Sequence, residues 1–172
     1  MSKSLRFLSD DELLKQCRVD QYRGSGPGGQ KRNKTSNAVR IVHQPSGIEA
    51  TGTEWRSLEI NRGHAIRRLR LKLATDIREP IDPTKFEPPD WFLTIRQPNR
   101  IQASDHHAYY TPAAGLVLDL LKAMHGSPSR VAAMLGVSTT AIVKFLEDEP
   151  QLWTAANRIR AELSMKPLAH RG

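Results

Sequence analysis

The feature that most constrains this chain is a polar stretch at residues 23–37, with the sequence Arg-Gly-Ser-Gly-Pro-Gly-Gly-Gln-Lys-Arg-Asn-Lys-Thr-Ser-Asn. Four of the chain's 11 glycines fall within six positions of this stretch, and three of the four residues after Gln30 are basic. Glycine tolerates positive φ angles and lets a backbone approach a partner closely, and cations are attracted to phosphate. A stretch of this polarity cannot enter a hydrophobic core, so it is either a flexible linker or a loop with a function.

The pieces of sequence in and around this stretch follow one another in a specific order. At its centre, Gly28-Gly29-Gln30 is followed by Asn33-Lys34-Thr35. Over roughly residues 17–78, the arrangement resembles the catalytic domain of class I peptide-chain release factors, which stand-alone ribosome-rescue hydrolases also contain. The flanking pieces that extend the resemblance are Arg23-Gly24-Ser25-Gly26, Ala38-Val39-Arg40-Ile41, Pro45-Ser46-Gly47-Ile48, Arg56-Ser57 and Asn61-Arg62.

The resemblance implies hydrolysis of the ester bond that joins a nascent peptide to tRNA, with Gly28, Gly29 and Gln30 as the catalytic residues. Such a reaction needs a positioned water and hydrogen-bond donors for the oxyanion that develops. The backbone N–H of Gln30 would donate to that oxyanion, and its side-chain amide would shape the pocket that admits water. The two glycines would supply backbone conformations that a Cβ atom bars. No cofactor is implied, since the ribosome and the tRNA would complete the site.

Positive charge is concentrated around this loop. The chain has a net charge of +8 and an isoelectric point near 10.0, and residues 15–78 hold 14 Lys or Arg against 5 Asp or Glu, a net charge of +9. A basic surface of this kind indicates a polyanionic partner, and the resemblance implies the ribosome, through ribosomal RNA and peptidyl-tRNA. The alternative is a run of cations that merely faces solvent. The residues predicted to bind RNA phosphates are Arg23, Lys31, Arg32, Lys34 and Arg40.

The first part of the chain, residues 1–78, is predicted to be an α+β domain. Ser9 and Glu12 form a capping-box pattern before two leucines, which predicts a short helix there. Ser57 is predicted to start a long helix with an apolar stripe, ending at about residue 77. One helix packed on a small antiparallel or mixed sheet buries the apolar face of the helix and that of the sheet against each other. The Gly-rich loop would project between the first two strands. The predicted strands are residues 17–23, 38–44 and 48–53.

The rest of the chain is predicted to form a linker and a second domain. Residues 79–100 contain five prolines, which exclude regular helix and sheet, so a linker pinned by a few large apolar side chains is predicted. Residues 101–172 are predicted to be helical, with Leu135-Gly136 between two apolar patterns at the spacing of a helix-turn-helix. We expect this second domain to select the ribosomal state, or a protein or RNA partner. The side chains expected to pin the linker are Trp91, Phe92 and Ile95.

Composition and cysteine content exclude several classes of protein. With Cys17 as its one cysteine, the chain cannot form an internal disulfide, and this residue is expected to be a small core residue rather than a nucleophile. There is no apolar run that approaches a membrane span and no signal-peptide pattern at the start, so we expect a cytoplasmic, monomeric protein without membrane contact. Asp105, His106, His107 and His125 lack a thiol or a close carboxylate pair to complete a site, so no metal is predicted.

The expected function is peptide release that does not depend on a codon. The resemblance begins near residue 17, which leaves no room before it for a codon-reading domain, and the basic tail typical of stand-alone rescue hydrolases is reduced to Lys166 and Arg171. Two alternatives stay open: a non-enzymatic nucleic-acid-binding protein led by the helix-turn-helix, and a ribosome-binding factor that has kept the loop but lost turnover. The first is weakened because the predicted recognition helix, residues 139–148, carries one cation and runs into Glu147-Asp148-Glu149.

Overall fold

The structure, a computed structural model, describes residues 4–23 and 37–170. The chain divides into two compact units, Met1–Leu73 and Ala74–Gly172. The first contains a small antiparallel sheet and helices, and the second is built mainly from helices. The α+β prediction for the first part of the chain is therefore confirmed.

The first unit is built on a small sheet. Its strands are β1 (Cys17–Tyr22), β2 (Ala38–His43) and β3 (Glu49–Gly52). They pair in the order β1-β2-β3, and both pairs are antiparallel. Val39 and Ile41 of β2 are almost completely buried, in agreement with their two-residue spacing, which places both on one face of the strand. β1 is an edge strand and is mostly exposed, so it contributes little to the core.

Two helices pack with this sheet: α1 (Asp10–Leu14) and α2 (Leu58–Asp76). The predicted capping box at α1 is confirmed, because Ser9 Oγ accepts from the N–H of Glu12 and the Glu12 carboxylate accepts from the N–H of Ser9. The apolar stripe predicted for α2 is confirmed from Ala65 onward, where its apolar side chains are buried, and Leu71, which lies off that stripe, is buried with them. The buried apolar residues of α2 are Ala65, Ile66, Leu69, Leu71, Leu73 and Ala74.

Gly52 lets α2 lie unusually close to β3. A Cβ atom built on Gly52 would lie 1.9 Å from the backbone oxygen of Asn61 in α2, a distance at which two heavy atoms cannot coexist. The absence of a side chain at Gly52 is therefore a condition for this packing.

The proline-rich segment, residues 79–100, lies in the second unit and contains more regular secondary structure than predicted. It contains a short helix, α3 (Asp90–Ile95), and a hairpin of β4 (Arg96–Gln97) and β5 (Arg100–Ile101). The prediction that residues 79–100 lack regular helix and sheet is wrong here, because the prolines flank these elements. Pro89 is the N-cap of α3, and Pro98 lies in the hairpin turn, so neither has to donate a backbone hydrogen bond.

Four further helices form the core of the second unit, as predicted for this part of the chain. They are α4 (Tyr110–Ala123), α5 (Pro128–Leu135), α6 (Thr139–Glu147) and α7 (Pro150–Glu162). α4 is buried around nearly its whole circumference. Its one buried acid, Asp119, forms an ion pair of 3.0 Å with Arg78 and accepts from the N–H of Glu79. Phe92 and Ile95 are buried, which confirms the prediction that they pin this segment.

α5 and α6 are joined by a sharp turn at Gly136, which has a φ of 69°. The axes of the two helices are bent by 111° at the break. The side chain of Arg96 donates to the Leu135 carbonyl, and the N–H of Ser138 donates to the Pro98 carbonyl, so the β4–β5 hairpin braces the turn. Within residues 4–23 and 37–170, no single helix has the length and apolarity to cross a membrane; α5 and α6 reach them only as this bent pair.

The close packing at Gly52 generates a stability prediction with an internal control. Gly52→Ala should destabilise the first unit by about 3 kcal/mol or more, because the backbone of Asn61 cannot move aside as a side chain would. Gly63→Ala is the matched control inside α2, where the nearest atom to the new methyl group belongs to the Arg67 side chain at 3.8 Å. That change should stabilise the helix by about 0.5–1 kcal/mol. Urea unfolding followed by circular dichroism measures both; equal effects would contradict the packing described.

His43 closes β2 as a buried, neutral imidazole that is 3% exposed. Its Nε2 lies 3.1 Å from Gln16 Oε1 and its Nδ1 lies 2.7 Å from Ser46 Oγ, so one ring nitrogen can donate while the other accepts from the hydroxyl. Burial lowers the pKa of His43, because the charged form loses its hydration.

We therefore expect the free energy of unfolding to decrease as the pH falls below 6.5, the ordinary imidazole pKa. In that range the unfolded chain binds a proton that the folded state resists, and the dependence ends below the lowered pKa of His43. His43→Gln should flatten this part of the curve. Glu54, whose pKa the Arg68 guanidinium lowers from 4.5 to about 2, loses its contribution to stability mainly as the pH falls below 4.5, which is under this window. Urea midpoints between about pH 5 and pH 8 test this; an unchanged slope in His43→Gln would assign it to another group.

Candidate functional site

The structure brings the two ends of the Gly-rich loop together. The pairing of β1 with β2 continues as far as Tyr22 opposite Ala38, so residues 23–37 leave and re-enter the sheet at one place. Arg23 follows β1 directly and is exposed. The part of the site that the structure defines is therefore the base of the loop. The other predicted site residues of the loop lie outside the described residues: Gly28, Gly29, Gln30, Lys31, Arg32 and Lys34.

The base of the loop is held by the side chain of Asn61, a fully buried residue of α2. Its Nδ2 group donates to the carbonyl oxygens of Asn37 and Trp55, both at 2.7 Å. Its Oδ1 accepts a hydrogen bond of 2.9 Å from the N–H of Trp55. A buried amide needs partners for its oxygen and its two N–H donors, and here all three partners are backbone groups. One side chain thus joins the exit of the loop to the connection between β3 and α2.

Asn61 belongs to the residues of the resemblance, but no role was predicted for it. A signal was available, because asparagine is unfavourable inside a helix unless its side chain finds hydrogen-bond partners. Its position near the apolar stripe of α2 therefore indicated a buried amide with a structural task. The sequence could not indicate which backbone groups it would bind.

Arg40, predicted to bind RNA from the base of the loop, already has a counter-ion. Its Nη2 lies 3.3 Å from Asp20 Oδ2, and the same oxygen accepts from Nε of Arg18 at 3.1 Å. Nε of Arg40 is buried without a hydrogen-bond partner among the described residues. Exposed ion pairs of this kind contribute about 0–1 kcal/mol, so a phosphate could displace Asp20 at little cost.

Two other cations of the first unit have structural tasks. Arg68 Nη1 donates to the carbonyl oxygen of Thr51 at 2.8 Å, and Lys72 Nζ donates to that of Glu49 at 2.7 Å. Arg68 also forms an ion pair of 2.6 Å with Glu54. These side chains fasten α2 to β3, and they are correspondingly less available to a phosphate.

Arg56 and Arg62 lie on either side of the start of α2 and are exposed. Within the part of the chain that the structure describes, neither forms an ion pair. Both belong to the residues of the resemblance, but neither was predicted to bind phosphate. With Arg23 at the end of β1, they are exposed cations next to Trp55 and Asn61 in the chain, and they give a basic surface at the base of the loop that can attract a nucleic-acid backbone.

A second candidate site is a groove of about 810 Å³ in the second unit, between α6 and the segment after β5. Its apolar part includes Tyr110 and Phe145, whose ring centroids are 5.8 Å apart. Burial raises the pKa of Tyr110, and nearby carboxylates raise it further. Because charges of both signs line the groove, it does not favour a phosphate backbone. The charged lining residues are Arg100, Asp105, Lys144, Asp148 and Glu149.

The structure gives Cys17 a local partner and shows no metal-like cluster in the described ranges. Cys17 Sγ donates to the Leu13 carbonyl oxygen at 3.2 Å, and burial raises the pKa of the thiol, which reduces its reactivity. Among residues 4–23 and 37–170, no three His, Cys, Asp or Glu side chains are grouped as ligands of one ion.

Comparison with known proteins gives a family for the first part of the chain. Residues 12–87 match the RF-1 domain. The chain is 44% identical over 70 residues to peptide chain release factor 1 of Caulobacter vibrioides, which covers 41% of this chain and 19% of that protein. It is 54% identical over 56 residues to peptide chain release factor 2 of Acidithiobacillus ferrooxidans, which covers 33% of this chain and 15% of that protein.

The chain thus spans a fifth or less of the length of these two relatives. The RF-1 match includes the Gly-rich loop, all three strands of the first sheet and α2 with its buried Asn61. The matched residues that the structure describes form the α+β fold that the resemblance implied. Residues 12–87 of this chain are therefore a class I release factor catalytic domain.

Proposed function

We propose that this protein hydrolyses the ester bond of peptidyl-tRNA on the ribosome, in the cytoplasm, and does so without reading a stop codon. The observation that carries the hydrolysis is Gly28-Gly29-Gln30 within a release factor catalytic domain. The geometry of the described residues supports it, because strand pairing and Asn61 hold both ends of the loop that contains these residues. The relatives matched by this domain are peptide chain release factors.

The proposed reaction needs no acid or base from the side chains of the loop. Water attacks the ester carbonyl, negative charge develops on the carbonyl oxygen, and the tRNA hydroxyl leaves with a proton that comes from the water. The N–H of Gln30 would donate to the developing oxyanion, and one such donor typically lowers the activation free energy by about 3–4 kcal/mol. Residues 23–37 contain no carboxylate or imidazole, so ribosomal or transfer RNA would move the proton.

Binding would rest on the basic surface at the base of the loop together with the cations of the loop itself. Arg23, Arg56 and Arg62 are exposed, and Arg40 would exchange Asp20 for a phosphate. Lys31, Arg32 and Lys34 are proposed to contact ribosomal or transfer RNA. The sum of these contacts would release counterions and make binding depend on salt.

Codon independence is proposed because the release factor match ends at residue 87 and most of the second unit lies beyond it. Residues 100–172 hold 8 Lys or Arg against 6 Asp or Glu, a net charge of +2, which is too small to hold RNA by charge alone. We propose that this second unit selects the ribosomal state or a partner through its shaped surface. The groove beside α6 is a candidate contact for that purpose.

The bent helix pair α5–α6 keeps a second candidate open, a nucleic-acid-binding factor without turnover. The acidic end of α6 weighs against it, because Glu147 and Asp148 would repel a phosphate backbone. Tight binding of the full-length protein to duplex DNA, together with no peptide release, would favour this candidate.

The central prediction is that the protein releases labelled peptide from ribosomes that carry peptidyl-tRNA and an A site without a codon. Gln30→Pro removes the N–H donor and should slow release by at least about 10²-fold. Gln30→Ala keeps the N–H and should have a milder effect. Gly29→Ala should abolish release but leave ribosome binding intact, because a Cβ atom bars the required backbone conformation.

Three outcomes of this assay would contradict parts of the proposal. No release by the wild-type protein would contradict the hydrolysis and leave a ribosome-binding factor. A wild-type rate for Gln30→Pro would contradict the backbone-donor mechanism. Release that requires a stop codon in the A site would contradict codon independence.

The salt dependence of ribosome binding tests the RNA contacts of the loop. Each phosphate contact contributes roughly 0.7–0.9 to the slope of log affinity against log salt concentration. Replacing the three loop cations together with alanine should therefore reduce the slope by about 2–3, whereas an unchanged slope would show that they face solvent. The control replaces three exposed cations of the second unit and should keep the wild-type slope. The loop set is Lys31, Arg32 and Lys34, and the control set is Lys85, Lys122 and Arg130, which do not line the groove beside α6.

A further inference from the structure

We propose that Trp55 stacks on an unpaired nucleobase of ribosomal RNA beside the base of the Gly-rich loop. The inference rests on the proposed function, which brings RNA to this loop. Trp55 lies in the connection between β3 and α2 and is 55% exposed, more than any other large hydrophobic residue that the structure describes. An indole in this position contributes little to the core and is available to a ligand.

Trp55 is held in place although it is exposed. Its backbone N–H and carbonyl groups both bind the side chain of the buried Asn61, at 2.9 and 2.7 Å. Its ring lies over that of His64 on α2, with ring centroids 6.3 Å apart and the planes at 19°. A side chain that is already oriented loses little conformational freedom when a ligand binds. The indole is therefore prepared for a contact.

The position of Trp55 ties it to the loop. The amide of Asn61 that holds Trp55 also binds the carbonyl oxygen of Asn37 at the loop exit. One side chain thus separates the indole from the end of the segment proposed to enter the ribosome. An RNA strand that contacts the loop at its base is within reach of Trp55.

The charges around Trp55 favour RNA as the occupant. Residues 54–68 contain four arginines and two glutamates, and the pair of Arg68 with Glu54 uses one of each. The surplus is basic, and Arg56 is the next residue in the chain after Trp55. Cations beside an exposed aromatic ring form the combination that binds unpaired nucleic acid, because the cations neutralise phosphates while the ring stacks on a base.

The test measures binding of the full-length protein to ribosomes that carry peptidyl-tRNA and an empty A site. All variants carry Gln30→Pro, so that release does not alter the complex during the measurement. Trp55→Leu removes the aromatic face and should weaken binding about 5- to 150-fold, the range typical for loss of one base stack. Trp55→Phe keeps an aromatic face and should lose less.

The matched control is Phe7→Leu, which also removes an exposed aromatic ring from the first unit. Phe7 is 37% exposed. The residue after it, Leu8, is bound through its carbonyl oxygen by Arg70, about two and a half helical turns along α2 from Asn61. Phe7→Leu should therefore leave ribosome binding unchanged. Thermal unfolding of each variant is measured beside the parent protein, so that a loss of stability is distinguished from a loss of binding.

Two further measurements identify the occupant. Chemical probing with dimethyl sulfate should show ribosomal RNA bases that the parent protein protects and that become reactive with Trp55→Leu. A photoreactive p-benzoylphenylalanine in place of Trp55 should crosslink to ribosomal RNA. Crosslinking to a ribosomal protein instead, or equal binding by Trp55→Leu and Phe7→Leu, would overturn the proposal.

Failure of this inference can be separated from failure of the proposed function. Binding, base protection and crosslinking are all measured without hydrolysis. Protection that depends on Trp55, in a protein whose wild-type form releases no peptide, would support the stacking contact and refute the hydrolysis. Codon-independent release together with Trp55-independent binding would refute the stacking contact alone.

Discussion

The hydrogen bonds of Asn61 are the interaction on which the first unit depends. A buried amide that lacks its partners costs about 1–3 kcal/mol per unsatisfied group, so the three backbone groups that meet it are held firmly. They come from the loop exit and from the β3–α2 connection. Asn61 reaches both because α2 lies against β3, and that approach requires Gly52. A glycine on a strand thus determines how the base of a distant loop is fixed.

The basic residues of the first unit have two different roles, packing the fold and facing solvent, and a net charge does not distinguish them. Arg68 and Lys72 hold α2 against β3 through backbone carbonyl oxygens. Arg56 and Arg62 instead face solvent around the loop base, and Arg40 is shared with Asp20. The net charge of +9 over residues 15–78 therefore overstates the charge available to RNA. The location of each cation, rather than the total, indicates the interface.

Periodicity, caps and turn residues were sufficient to predict the elements of the first unit to within about a residue or two at their ends, because these signals are local. The prediction for the proline-rich segment was wrong because it used the number of prolines and not their positions. Two of them lie at the cap of α3 and in the β4–β5 turn, where a proline is compatible with regular structure. The tasks of Asn61 and the exposure of Trp55 depend on contacts between segments far apart in sequence. No local pattern specifies such contacts. The resemblance identified the residues of the loop, but it did not indicate which side chains hold the base of the loop in place.

The side chains that fasten α2 to β3 also affect what the sheet can do with other chains. β3 is an edge of the described sheet, and open edges offer backbone groups to any extended peptide that approaches. The Thr51 and Glu49 carbonyl oxygens are already engaged by charged donors from the helix. A foreign strand would have to expel both donors before it could pair along this edge. The helix therefore works against association of folded molecules along β3.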